Sequence, residues 1–168
     1  MKKIIFVCTG NICRSAMAHH YMQKRMIDEK KENDYIIESA GLSAYTGDRA
    51  TEFATLVMKK YGVNMENHRA TYIEESDIKE ADLVICMTQA HKRKILNRYP
   101  NLEEKVFTLK EFVGEKEYLD IDDPWGFGLE VYENCSKEIV YYVDKLVEKL
   151  LRGENKWLYW VQTMQVMN

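Results

Sequence analysis

The segment Cys8-Thr9-Gly10-Asn11-Ile12-Cys13-Arg14-Ser15 places a thiol, a guanidinium and a hydroxyl within one short stretch of chain. The five residues between Cys8 and Arg14 suffice for a tight loop whose backbone N–H groups turn inward, a nest for an oxyanion. Gly10 and Asn11 are residue types that tolerate the left-handed backbone such a curl requires. A helix beginning at Arg14 or Ser15 adds its free N–H groups and its dipole at the same point. The Arg14 fork can clasp two phosphoryl oxygens. A positive field of this kind favours the thiolate form of a cysteine. The implied chemistry is attack of Cys8 on phosphorus to give a phosphocysteine intermediate. The plainer reading makes Cys8 the last core residue of a strand and Arg14 an ordinary charge at a helix start. The Gly-Asn inside the loop and the Ser behind it weigh against that reading.

Attack on a phosphate monoester also calls for an acid to protonate the leaving oxygen. Ile121-Asp122-Asp123-Pro124-Trp125-Gly126 offers one, with Asp123 as first choice and Asp122 as the fallback. Taken alone, Asp-Asp-Pro is an ordinary turn starter. Trp125 would lie beside an aromatic substrate.

These residues need a frame. Ile4 to Cys8, Tyr35 to Ser39, Leu83 to Met87 and Val106 to Leu109 read as strands, being short, apolar and bounded by polar breakers. Ser15 to Lys30, Thr51 to Tyr61 and Gln89 to Arg98 read as helices. Leu129 to Leu151 carries Val131, Cys135, Ile139, Tyr142, Leu146 and Leu150 at three- and four-residue spacing, which predicts a long amphipathic helix. Alternating strands and helices predict a single three-layer α/β domain over 1–152, with a central, roughly four-stranded parallel sheet. Ligands of such sheets bind beyond the carboxyl ends of the strands, where Cys8 lies. The stretch 153–168, with Trp157, Leu158, Tyr159, Trp160 and Val161, reads as an aromatic tail that packs back on the domain or serves a partner.

The 168 residues are 46% hydrophobic and 30% charged, the balance of one globular domain, and a net charge of -3 argues against a general nucleic-acid binder. No apolar run approaches the roughly 20 residues of a membrane span. The basic-then-apolar start, Met1 to Cys8, breaks off at Thr9, too short for the apolar core of about 7 or more residues in a signal peptide. The expectation is a cytoplasmic protein without metal or organic cofactor, monomeric unless the tail drives self-association. Cys86 and Cys135 read as small core residues, whereas Cys8 and Cys13 stand in polar sequence.

Cys8 to Ser15 with Met17-Ala18, together with Asp123-Pro124, resembles the low-molecular-weight protein tyrosine phosphatases. The likeness extends to about Leu151 through Ser39-Ala40-Gly41, Asn67-His68-Arg69-Ala70 and Ala81-Asp82-Leu83-Val84. It implies a protein phosphatase acting on a phosphorylated protein and releasing inorganic phosphate, with Cys8 as nucleophile, Arg14 as phosphate clamp and Asp123 as general acid and base. By the same resemblance Ser15 stabilises the leaving thiolate, Asn11 holds the shape of the loop and His68 supports Asn11. Without it, His68 reads as a surface residue. Cys13 matches a second loop cysteine that can trap Cys8 as a disulfide under oxidation; otherwise it is a filler at the helix start. The chain departs from the family pattern at Ala16, where Pro is common, at His19, where Glu is common, and after Asp123-Pro124, where an aromatic pair is reduced to Trp125-Gly126.

Met87 to Lys92 and Lys105 to Glu111 resemble the protein-arginine phosphatase branch of the same family. That branch carries Thr where this chain has Ile12. An apolar wall at Ile12, with Tyr45 and Trp125, suits a phenyl ring better than a guanidinium. Phosphotyrosine is therefore the expected substrate and phosphoarginine the alternative. An arsenate reductase is less favoured, since no cysteine pair stands near the relay loop expected around residue 80. A non-hydrolytic phosphate-binding module would have no use for Asp123.

Overall fold

In the first strand, β1 (Lys2–Cys8), Ile4, Phe6 and Cys8 join one apolar cluster and Ile5 and Val7 the other. This is the two-residue alternation of an extended chain. Both faces are covered, which is why the run reads as continuously apolar. The computed structural model describes residues 1–152; the expected aromatic tail, 153–168, lies outside the described residues.

After β1 the chain runs through α1 (Arg14–Asp28), β2 (Tyr35–Gly41), α2 (Glu52–Lys59), α3 (Glu75–Glu80), β3 (Leu83–Cys86) and α4 (Gln89–Arg98). A short 3-10 turn (Pro100–Lys105) then leads to β4 (Val106–Thr108), α5 (Leu109–Phe112) and α6 (Leu129–Leu151). All pairings are parallel and the strand order is β2-β1-β3-β4. The chain thus leaves β1 on one side for β2 and returns to its other side with β3. The crevice between diverging connections opens at the carboxyl ends of β1 and β3.

The larger cluster packs α1, α2, α5 and α6 against one face of the sheet, and the smaller packs Ile78, Ile95 and their neighbours against the other. Asp144 of α6 accepts from Tyr21 Oη at 2.8 Å and pairs with Arg25, fastening α6 to α1. Helix starts are chemically marked. Thr51 caps α2, and Thr88 with His91 and Thr108 with Glu111 form reciprocal capping boxes at α4 and α5. The predicted strands and long helices all form, with ends shifted by a residue or two at several places, while α3 and α5 were too short for periodicity to reveal. Cys86 and Cys135 are buried as expected; burial pushes the Cys135 thiol up to about 12. No helix of the described residues is long and apolar enough to cross a membrane.

Candidate active site

The loop from Cys8 to Arg14 wraps with its carbonyls outward. The Cys8 and Thr9 carbonyls accept from the N–H groups of Leu42 and Ser43 at 3.0 and 2.9 Å. Those of Ile12 and Cys13 accept from Thr51 and Met17 at 3.0 and 2.9 Å. The Asn11 carbonyl accepts from His68 Nε2 at 2.7 Å. With five acceptors tied to outside donors, the N–H side of the curl faces the concave surface, the arrangement of an anion nest. Asn11 takes the left-handed backbone, φ 55°, whereas Gly10 does not; the residue that bends the loop is the asparagine.

Asn11 is fully buried and each of its polar groups has a partner. Its Nδ2 donates to Ser15 Oγ at 2.8 Å, its Oδ1 accepts from Thr71 N–H at 3.0 Å, and its own N–H points at Cys8 Sγ at 3.3 Å. Ser15 Oγ lies 2.9 Å from Cys8 Sγ. Because Asn11 Nδ2 already donates to that oxygen, the serine hydrogen is free to point at sulfur. The Cys8 sulfur therefore rests between two donors.

His68 is 5% exposed, not a surface residue. Its bond to a carbonyl, which can only accept, places the proton on Nε2 and leaves Nδ1 as an acceptor for His20 Nε2 at 2.9 Å. On the other flank His91 Nδ1 accepts from Thr88 N–H at 3.2 Å, so His91 Nε2 donates to Thr9 Oγ1 at 2.9 Å. Burial, reinforced by the nearby charges of Arg14 and Lys94, pushes His91 down to about 4 and holds it neutral. Neither Thr88 nor His91 was singled out from the sequence. Their signal was the Thr-x-x-His capping box directly after a strand.

Arg14 is 4% exposed and held at both ends of its fork. Nη1 donates to the Ile121 carbonyl at 2.9 Å, and Nη2 lies 3.3 Å from Asp123 Oδ2. Ile121 is itself tied by its N–H to the Met87 carbonyl at 2.9 Å, just beyond β3. The acid loop is thus hung from the sheet and read by the arginine. Asp123 Oδ1 accepts from Trp125 N–H at 3.2 Å across Pro124, a turn that orients the carboxylate. Asp122 does not line the site; its carbonyl lies 3.8 Å from Cys135 Sγ.

A pocket of about 400 Å³ opens over Cys8. Ile12, Tyr45 and Trp125 form its apolar walls, and Arg14 and Asp123 also line it. Ser43 and Asp48 complete it; neither was expected from the sequence, since both stand in an unpatterned loop. Cys13 is buried in the apolar cluster, with Sγ 3.3 Å from Tyr132 Oη and 3.6 Å from Thr51 Oγ1. Cys13 also lines the pocket over Cys8, and burial pushes its thiol up.

A sequence model described as low molecular weight phosphotyrosine protein phosphatase matches residues 3–156. The chain is 38% identical over 148 residues to a protein-arginine-phosphatase of Geobacillus stearothermophilus, an alignment covering 88% of this chain and 95% of that protein. It is 37% identical over 144 residues to the low molecular weight protein-tyrosine-phosphatase PtpB of Staphylococcus epidermidis, covering 86% of this chain and 96% of the relative. The crystal structure of a low molecular weight protein tyrosine phosphatase from T. tengcongensis superposes with a TM-score of 0.82 at 41% identity, over 89% of this chain and 99% of that one. A thiol held by two donors at the floor of an anion nest, an arginine clamped above it and this likeness along almost the whole chain lead to one conclusion: the protein belongs to the low molecular weight phosphotyrosine protein phosphatase family.

Proposed function

We propose that this chain hydrolyses phosphotyrosine in proteins by two displacements at phosphorus through Cys8. The observation that carries this reading is the pocket directly above Cys8 Sγ, whose apolar walls Ile12, Tyr45 and Trp125 suit a flat phenyl ring. The phosphoryl oxygens occupy the nest and the Arg14 fork. An incoming phosphoryl group competes with Asp123 for Nη2, which frees the Asp123 carboxyl to turn toward the leaving oxygen. Released from Arg14, the Asp123 carboxylate takes up a proton from solvent; in the first step the S–P bond forms, the P–O bond to the phenol breaks, and that proton passes to the phenolate oxygen. In the second step Asp123 takes a proton from water, whose oxygen attacks phosphorus. The S–P bond then breaks, releasing phosphate, and the donors from Ser15 and Asn11 receive the sulfur as a thiolate. Cys13, in the same loop, serves in this reading as the disulfide partner that shields an oxidised Cys8 from irreversible damage.

Asp48 supports a second reading. Its carboxylate lines the same pocket and could pair with a guanidinium, which favours phosphoarginine; the Geobacillus relative bears the name of that activity. Rates on phosphotyrosine and phosphoarginine proteins, measured side by side for the unaltered chain, Ile12→Thr and Asp48→Asn, separate the two. Faster phosphotyrosine turnover by the unaltered chain, with Ile12→Thr shifting the ratio toward phosphoarginine, is the expected result. Faster phosphoarginine turnover, lost in Asp48→Asn, would reverse the assignment. Substantial turnover of either substrate by Cys8→Ser would remove both.

A further inference from the structure

On the far side of the phosphate loop three histidines converge. Successive residues of a helix point about 100° apart, yet the rings of His19 and His20 lie stacked, with centroids 4.3 Å apart and planes within 13°. His68 closes on them edge-on, its ring centroid 5.1 Å from that of His20. One ring nitrogen from each histidine lies within 4.8 Å of the other two. The mechanism uses only the far nitrogen of His68, and the other two histidines have no part in it.

We propose that His19, His20 and His68 form a binding site for a divalent first-row transition metal, with Zn2+ the ion that fits best. Three neutral imidazoles are a donor set suited to zinc, copper or nickel and poorly suited to calcium or magnesium. The site is oriented as metal-binding histidines are: the Asn11 carbonyl holds the proton on His68 Nε2 and so presents the Nδ1 lone pair to the cluster. His68 Nδ1 and His20 Nε2 stand 2.9 Å apart. A tetrahedral zinc with N–Zn bonds of about 2.0–2.1 Å needs that edge widened by about 0.5 Å and any wider edge, up to 4.8 Å, drawn in, with one ring of the His19–His20 stack turned so that both lone pairs meet the ion. Binding moves the His20 proton from Nε2 to Nδ1, a change of tautomer that releases no net proton.

A cavity of about 430 Å³ opens beside the rings, with room for the ion and for water in the remaining coordination position. Glu38 and Asp77 also line this cavity, Glu38 paired with Lys3 Nζ at 3.0 Å and Asp77 accepting from Glu74 N–H at 2.8 Å. Arg69 lines it too, but its guanidinium is turned to the carbonyls of His68 and Glu66, at 2.7 and 3.3 Å. His19 Nδ1 lies 2.7 Å from Ser39 Oγ, a contact that orients its ring within the cluster. Through His68 the ion would sit one side chain away from the carbonyl of Asn11, on the outer surface of the phosphate loop. The assignment does not depend on the hydrolytic reading, because binding is measurable without substrate.

The test is calorimetric titration of the full chain with Zn2+ in a non-coordinating buffer. It is carried out in the Cys8→Ser background so that the active-site thiol does not compete. One Zn2+ per chain is expected, with affinity falling about tenfold or more in the added variants His20→Gln or His19→Gln. Their metal-free thermal midpoints, measured alongside, show that each variant is folded. Co2+ should give visible d–d bands of a tetrahedral nitrogen site without a thiolate-to-cobalt charge-transfer band. Absence of saturable zinc binding, unchanged affinity in both folded variants, or a thiolate band would each overturn the site.

Discussion

Gly41 ends β2 directly behind the phosphate loop, and Gly41→Ala tests whether the fit between strand and loop sets the reaction geometry. A Cβ built there would stand 2.5 Å from the Thr9 carbonyl oxygen, 2.8 Å from Ala44 Cβ and 3.0 Å from Asn11 N. Two of the three obstacles are backbone of the loop itself, so no flexible side chain can swing away. Restoring the oxygen to about 3.3 Å, the short end of C···O contacts, requires a shift of about 0.8 Å. The Gly41 N–H and carbonyl, bonded to Thr71 O and Ile73 N–H at 2.8 and 3.0 Å, resist movement of the strand, so the loop must give. Overpacking of this kind costs about 1–3 kcal/mol of stability. Displacement of reacting groups by about 1 Å costs on the order of a hundredfold in rate. Gly41→Ala is therefore expected to remain folded with a lowered thermal midpoint and to lose roughly two orders of magnitude in kcat/KM on an aryl phosphate. A rate within a few-fold of the unaltered chain would refute the reasoning, because the loop would then not be set by its contact with β2.

Asp123→Asn should slow turnover most for substrates with poor leaving groups, since only those need the proton. A rate equally reduced for nitrophenyl and phenyl phosphates would deny Asp123 the role of acid. Asn11→Ala should destabilise the chain by about 2–5 kcal/mol, combining a left-handed alanine with the unpaired Thr71 N–H. Asn11→Gly keeps the backbone free and should recover about 1 kcal/mol of this in urea unfolding; equal stabilities would dismiss the backbone contribution. His91 is neutral in the folded chain down to about pH 4 but protonates near 6.5 when unfolded. Acidification from about 6.5 to about 4 therefore favours the unfolded state, by at most about 3 kcal/mol, and the effect is fully relieved above 6.5. The urea midpoint should fall less steeply over that range in His91→Gln, and identical pH profiles would show that His91 does not titrate in this way.

The sequence by itself pointed to an oxyanion-binding loop between Cys8 and Arg14 and to the layering of the sheet. Those depend on neighbours within one loop and on two- and four-residue periodicities, which survive in a linear string. Tertiary structure decided what holds that chemistry in place. His68 reaches Asn11 across 57 residues and Ile121 reaches Arg14 across 107, and neither residue type announces such a partner. His68 reads as polar surface until the strand order brings its segment behind the loop, and Cys13 reads as polar until α6 delivers Tyr132 against it. Asp48 and Ser43 enter the pocket, and His19 and His20 meet His68, only once β2 is laid beside β1. Local pattern specifies elements and the reactive loop because its energies are set by adjacent residues. The supports of the site are buried polar contacts between distant segments, whose partners are chosen by the packing of the sheet and its helices.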